Sequence, residues 1–171
     1  VDLVEEGFDV AIRVSEPADS SLIARRLAPF RVVTCAAPSW LATHGRPTVP
    51  TDLTGLPAIA DTNARNWNHW PFVVDGERIV VPVTARLHVN APQVAATAAE
   101  AGLGVARTPL FAVRRAVEEG RLEILLEDYE LANLVVHAVY PHRRHLSAKV
   151  RVFVDFMVDW FERRKKVGPC V

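Results

Sequence analysis

The side chains best placed for chemistry in this 171-residue chain are polar groups standing at or just beyond strand-like runs, and the chemistry they suit is holding a small anion. Arg13 and Ser15 close and follow the run DVAIRV at 9–14, and ligands in α/β folds gather beyond the carboxyl ends of strands. A guanidinium there is either a carboxylate clamp, through its planar fork, or one half of an ion pair. Thr62 and Asn63 follow the strand-like Pro57–Asp61, in a polar stretch that would also serve as an ordinary turn. Asn90 precedes the helical pattern APQVAATAAEA. The backbone N–H groups and positive dipole end of a helix N-terminus attract anions, while the Asn90 side-chain oxygen would equally cap that helix. Thr108 follows the strand-like LGVA, where its hydroxyl faces the same choice between a ligand and an N-cap.

Nothing comparable points to catalysis, a metal or a cofactor. Ser15 or Ser39 with any His and Asp lacks the nucleophile-elbow sequence that would expose a reactive hydroxyl. His142 and His145 flank Arg143 and Arg144 behind Pro141, too few ligands for zinc, and read as a solvated basic loop. Cys35 and Cys170 fit no metal spacing and read as reduced thiols. Trp67 and Trp70 around His69 would offer a stacking surface, but aromatics near a Pro turn usually pack.

These residues need elements to hold them, and the chain supplies an alternation of strand and helix. Half the residues are apolar and 23% are charged, so no apolar run approaches the length of a membrane span. No basic, then apolar, opening marks the chain for export, which points to the cytoplasm. Residues 9–14 read as a covered strand, 20–27 and 30–36 as two more. Pro38 and Gly45 bracket a short helix, SWLATH. Asp75-Gly76 supplies the positive φ angles of a tight hairpin between Phe72–Val74 and Ile79–Val83, with Pro82 on an edge. Residues 85–89 form a strand, 91–101 a helix ending at Gly102, and LFAVRRAVEE a helix closing at Gly120. LEILL and LVVHAVY complete the strands. A last helix, capped by Ser147, presents Val150, Phe153, Val154, Met157 and Phe161 on one face.

Several stretches together resemble the effector-binding domain of LysR-type bacterial transcription regulators: DLVEEGFDVAIR (2–13), DSSLIARRL (19–27), APSWLATHGRPTVPTDL (37–53), AATAAEAGLGVARTPLF (95–111), EEGRLEILLEDYE (118–130) and RHLSAKVRVFVDF (144–156). The resemblance covers nearly the whole chain. It implies an α/β, two-lobed, type II periplasmic-binding-protein-like fold. Lobe I would be residues 1–34 continued by 138–171, lobe II residues 35–137, with crossings near 32–36 and 136–141. A small anionic or aromatic effector would lie between the lobes, touching Arg13, Ser15, Thr62, Asn63, Asn90 and Thr108. Ser15 departs from a common Gly, and Arg107 stands where an apolar residue is common. In the family, the stretch at 1–14 falls well inside the domain. The chain is therefore expected to lack the DNA-binding head and the opening of lobe I, leaving Val10, Ile12 and Val14 facing water. The reading is then a sensor module, not an enzyme, that self-associates and meets DNA only through the missing head. Its alternative is a remnant that binds ligand weakly or only dimerises.

Twenty acidic and twenty basic residues cancel, and a domain that holds nucleic acid unaided usually carries a positive excess. The isolated chain is expected to show no sequence-dependent complex in a mobility-shift assay at physiological salt. A discrete complex with one promoter fragment and not another would contradict this.

Overall fold

Strand and helix follow one another as the apolar runs require, and a computed structural model describes residues 7–15, 22–64, 66–132, 134–141 and 147–165. The chain divides into two compact units, Val1–Phe30 with Asn133–Val171, and Arg31–Ala132. His142, His145 and Cys170 lie outside the described residues.

In the first unit, β1 (Ala11–Ser15) and β2 (Leu22–Pro29) flank β10 (Val135–Pro141), and both pairings are antiparallel. Val136, Ala138 and Tyr140 face one way, and α4 (Ala148–Lys165) packs on them through Val150, Val154 and Phe161, with Met157 partly buried beside them. These positions recur at helical spacing, so they form one stripe. Phe153, expected on that stripe, is 42% exposed. It lies to one side, and with Val152, Phe156 and Trp160 it forms a second, exposed apolar strip. The backbone carbonyl of Ser147 accepts from the N–H groups of Val150 and Arg151. The apolar run alone suggested a covered strand at 9–14, but Ile12 and Val14 are each 45% exposed, the exposure expected of them from the family resemblance. Among the described residues β1 pairs only with β10, so it is an edge strand.

The second unit is built on a five-stranded sheet. Its strands are β3 (Val32–Ala36), β4 (Pro57–Asp61), β7 (Thr84–Val89), β8 (Val105–Pro109) and β9 (Glu123–Leu125), in the order β7-β4-β8-β3-β9. β4 runs parallel to both β7 and β8, whereas β3 is antiparallel to β8 and β9. Ile59, Ala60, Val33 and Ala106 are fully buried, which fits strands covered on both faces. Val32–Ala36 thus lies wholly in this sheet and Val135–Pro141 wholly in that of the first unit. The divisions fall at Phe30/Arg31 and Ala132/Asn133.

Helices cover the sheet where small residues let them approach. In α2 (Pro92–Glu100), Ala95, Ala96, Ala98 and Ala99 are buried, and the helix packs on β8 and β4. α1 (Pro38–His44) begins with its proline in the first turn and ends at Gly45, whose N–H donates to the Leu41 carbonyl. α3 (Leu110–Glu118) buries Val113 and Ala116. The hairpin of β5 (His69–Val74) and β6 (Glu77–Pro82) turns on Asp75 at φ 51° and Gly76 at φ 82°, as the dipeptide requires. Its Trp70, Phe72 and Val81 join the same core.

Two exchanges of role stand out at helix starts. Asn90 does not cap α2; the N-cap is Ala91, followed by Pro92, so Asn90 lies one residue too early to reach the first turn. Thr108 does not cap α3, because β8 runs on through Pro109, which holds that position.

Gly104 lies at φ 155°, where a Cβ would stand 2.4 Å from the Pro57 carbonyl oxygen. Backbone cannot yield as a flexible side chain can, so Gly104→Ala must shift the β4–β8 pairing. The variant should lose about 1–3 kcal/mol, read as a lower urea midpoint; an unchanged midpoint would contradict the close approach.

Candidate functional site

Parallel pairing puts the carboxyl ends of β4, β7 and β8 on one rim of the second unit, beside the N-terminus of α2. Four of the six residues expected to bind sit there. The Thr62 N–H and hydroxyl both donate to the Val89 carbonyl, at 2.8 and 3.0 Å. Asn63 donates its backbone N–H to Asp61 Oδ1 at 3.0 Å and its side-chain Nδ2 to the Asn90 carbonyl at 2.6 Å. Thr62 and Asn63 therefore stitch the loop after β4 to the end of β7. Asn90 offers its backbone to that joint while its side chain stays exposed. Thr108 is fully buried, its hydroxyl 3.5 Å from the Pro92 carbonyl, a long contact.

No side chain caps α2. Pro92 carries no N–H and the Val94 N–H donates to the Ala91 carbonyl at 3.0 Å, so what the helix offers the rim is mainly its positive end, where an anion would be favoured. Arg13 and Ser15 belong to the first unit, where Arg13 is half-buried opposite His137 and Ser15 is exposed opposite Val135.

Several charged residues escaped the sequence reading as partners. Arg31 donates Nε to Glu130 and Nη2 to Glu127, both at 2.6 Å, and a further bond to Glu130 at 3.0 Å. The Glu130 bond, opposed by burial and helped by Glu127, raises the Arg31 guanidinium above its ordinary value. Arg107 donates to the Pro71 carbonyl at 3.4 Å and lies 5.9 Å above the Phe72 ring. Burial pushes its guanidinium down to about 10; Glu130 works against this and Arg78 with it. No spacing signal links Arg31 to residues almost a hundred positions away, so sequence alone had no means of pairing them. The tryptophans pack: Trp70 is buried with Nε1 donating to the Trp67 carbonyl, and Trp67 stands edge-on to His88.

Among the described residues no group of three His, Cys, Asp or Glu side chains could hold a metal. No helix among them is long and apolar enough to cross a membrane. An open groove of about 330 Å³ lies along Asp9, Val10, Lys149, Val150 and Phe153, and contains none of the six candidates. Its volume alone does not make it the binding site, since it offers an apolar floor and one Lys149–Asp9 pair at 2.5 Å and no converging donors.

The sequence profile of the LysR substrate binding domain matches residues 1–162. An HTH-type transcriptional regulator from Haemophilus influenzae is 35% identical over 150 residues, covering 88% of this chain and 52% of its own length. An HTH-type transcriptional repressor from Pseudomonas aeruginosa is 33% identical over 167 residues, covering 96% and 53%. Among solved structures, the full-length Vibrio cholerae virulence activator AphB superposes with a TM-score of 0.75 at 28% identity, covering 94% of this chain and 54% of that one. The chain thus spans about half the length of the curated relatives it matches.

Cys35 is fully buried in β3, and burial pushes its thiol from 9.0 up to about 12. Below pH 9 the thiol is protonated in both folded and unfolded chains. Between pH 9 and 12 the unfolded chain sheds a proton that the folded one keeps, so stability falls across that window, by at most about 1.4 kcal/mol per pH unit. In a Cys170→Ser chain, a thiol reagent at pH 8 should leave Cys35 unmodified until denaturant is added. Rapid labelling of the folded chain would contradict its burial.

Proposed function

The chain belongs to the LysR substrate-binding domain family, and from that premise we propose that it senses a small anionic or aromatic metabolite and controls transcription as part of a longer regulator. The observation that carries this reading is the rim of the second unit. Three strand ends converge on an uncapped helix N-terminus, with Thr62, Asn63 and Asn90 in one hydrogen-bonded joint. A ligand's negative group would be met there by the positive helix end. Arg13 and Ser15 are proposed contacts on the first unit, and Thr108 supports the rim from beneath. The role is binding rather than catalysis, in keeping with relatives described as transcriptional regulators. It is a cytoplasmic role, and contact with DNA falls to other parts of such a regulator. One relative is a repressor and another an activator, so the sign of control is not a family constant.

A second reading, a module that chiefly associates with further chains, draws on the exposed Ile12, Val14, Val152 and Phe156. Large exposed apolar patches mark interaction surfaces, and an open strand edge is a template for pairing.

Calorimetry and thermal melts against a panel of aliphatic and aromatic carboxylates separate the two. A true effector at 100 times its Kd should stabilise the chain by about 2.7 kcal/mol. Asn63→Ala, which frees the loop from the Asn90 carbonyl, should weaken binding about tenfold. No binder in the panel below 1 mM, together with concentration-dependent dimers, would favour the second reading instead.

A further inference from the structure

The three-stranded sheet of the first unit carries an arrangement that no stripe of apolar residues explains. Val136, Ala138 and Tyr140 point into the α4 core, which leaves Val135, His137 and Val139 on the opposite face of β10. Directly opposed residues of antiparallel strands share a face, with Cβ atoms about 4.5–5.5 Å apart. His137 is opposed by Arg13 on β1 and by Arg26 on β2, so the strand register sets an arginine on either side of it.

The Arg26 pairing depends on an irregularity. The β10–β2 register shifts between Val136 and His137, where Ala28 and then Arg26 are the partners and Leu27 is the extra residue. In an unbroken register Leu27 would oppose His137, and Arg26 would oppose Ala138 on the apolar side. The bulge instead sends Leu27 and Ala28 both into the core, each 3% exposed, sets Arg26 opposite His137 and moves Arg25 opposite Ala138. Bulges of this kind re-aim side chains, often next to sites.

The imidazole itself is incomplete. His137 is 8% exposed, and its Nδ1 has no hydrogen-bond partner. Buried polar atoms almost always find one.

We propose that Arg13, His137 and Arg26 form a binding site for a carboxylate group. His137 in its Nδ1–H tautomer donates one hydrogen bond, and the flanking guanidiniums supply charge-assisted donors that match the two carboxylate oxygens. The proposal rests on the effector reading in making Arg13 a ligand contact, and adds two residues which that reading lacked.

The test is titration of the whole chain, labelled with 15N at histidine, with sodium phenylacetate and, at constant ionic strength, with its neutral counterpart phenylacetamide. Phenylacetate should move the His137 Nδ1 resonance saturably, and phenylacetamide at equal concentration should not. Arg26→Gln, on an exposed position, should weaken phenylacetate binding at least tenfold. His137→Phe, which keeps the ring and removes its nitrogens, should do the same; if it fails to fold, Arg26→Gln and the resonance decide alone. An unmoved His137 signal, equal binding of the amide, or full affinity in Arg26→Gln would overturn the site. Full affinity in Arg26→Gln with loss in Asn63→Ala would overturn it while upholding the effector reading.

Discussion

Parallel pairing of Pro57–Asp61 on both sides is the constraint on which the second unit depends. Because β4 lies between β7 and β8 and runs the same way as both, all three strands end on one rim, and the loops that leave them must meet. Burial enforces the arrangement: Ala58, Ile59 and Ala60 are covered on both faces, and burying one large aliphatic side chain such as Ile59 is worth roughly 1.5–3 kcal/mol. Gly104 lets β8 approach Pro57 at all. The joint of Thr62 and Asn63 on Val89 and Asn90, and the position of α2 above it, follow from that pairing.

The first unit is governed by a different constraint, a sheet with one face in the α4 core and the other setting Arg13, His137 and Arg26 among the buried Val135 and Val139. Among the described residues its strand register shifts once, at Val136/His137. With Ala28 opposite Val136 in the core, a strict alternation would turn Leu27 away from that core and Arg26 towards it; the bulge reverses both and carries Arg25 to the position opposite Ala138. Edges remain open on this unit among the described residues, and the exposed strip of Val152, Phe153, Phe156 and Trp160 lies on the same helix that seals the core. Both units therefore place polar groups where strands end or bend, and leave apolar surface where helices face outward.

Local signals account for what the sequence revealed. Asp75-Gly76 announced its hairpin, Pro38 and Gly45 bracketed α1, and Pro57–Asp61 emerged with the expected bounds, because each rests on residues adjacent in the chain. The family resemblance rested on many such pieces together. What stayed hidden depends on distant partners. Asn90 and Thr108 looked like caps, but the proline following each shifts the helix start by one residue. Arg107 read only as an oddity, since its desolvation under the β5–β6 hairpin and its field from Glu130 arise in three dimensions. His137 read as one residue of an apolar strand; only the strand register reveals the arginines beside it.

The central claim is that the chain is a ligand-binding module whose site lies at the strand ends of the second unit. Hydrogen exchange measured with and without the tightest binder of a carboxylate panel tests this most directly. The account predicts slowed exchange at residues 61–64 and 89–95, with the segment of α4 unchanged. Protection confined to α4, or no change anywhere at saturating ligand, would contradict it.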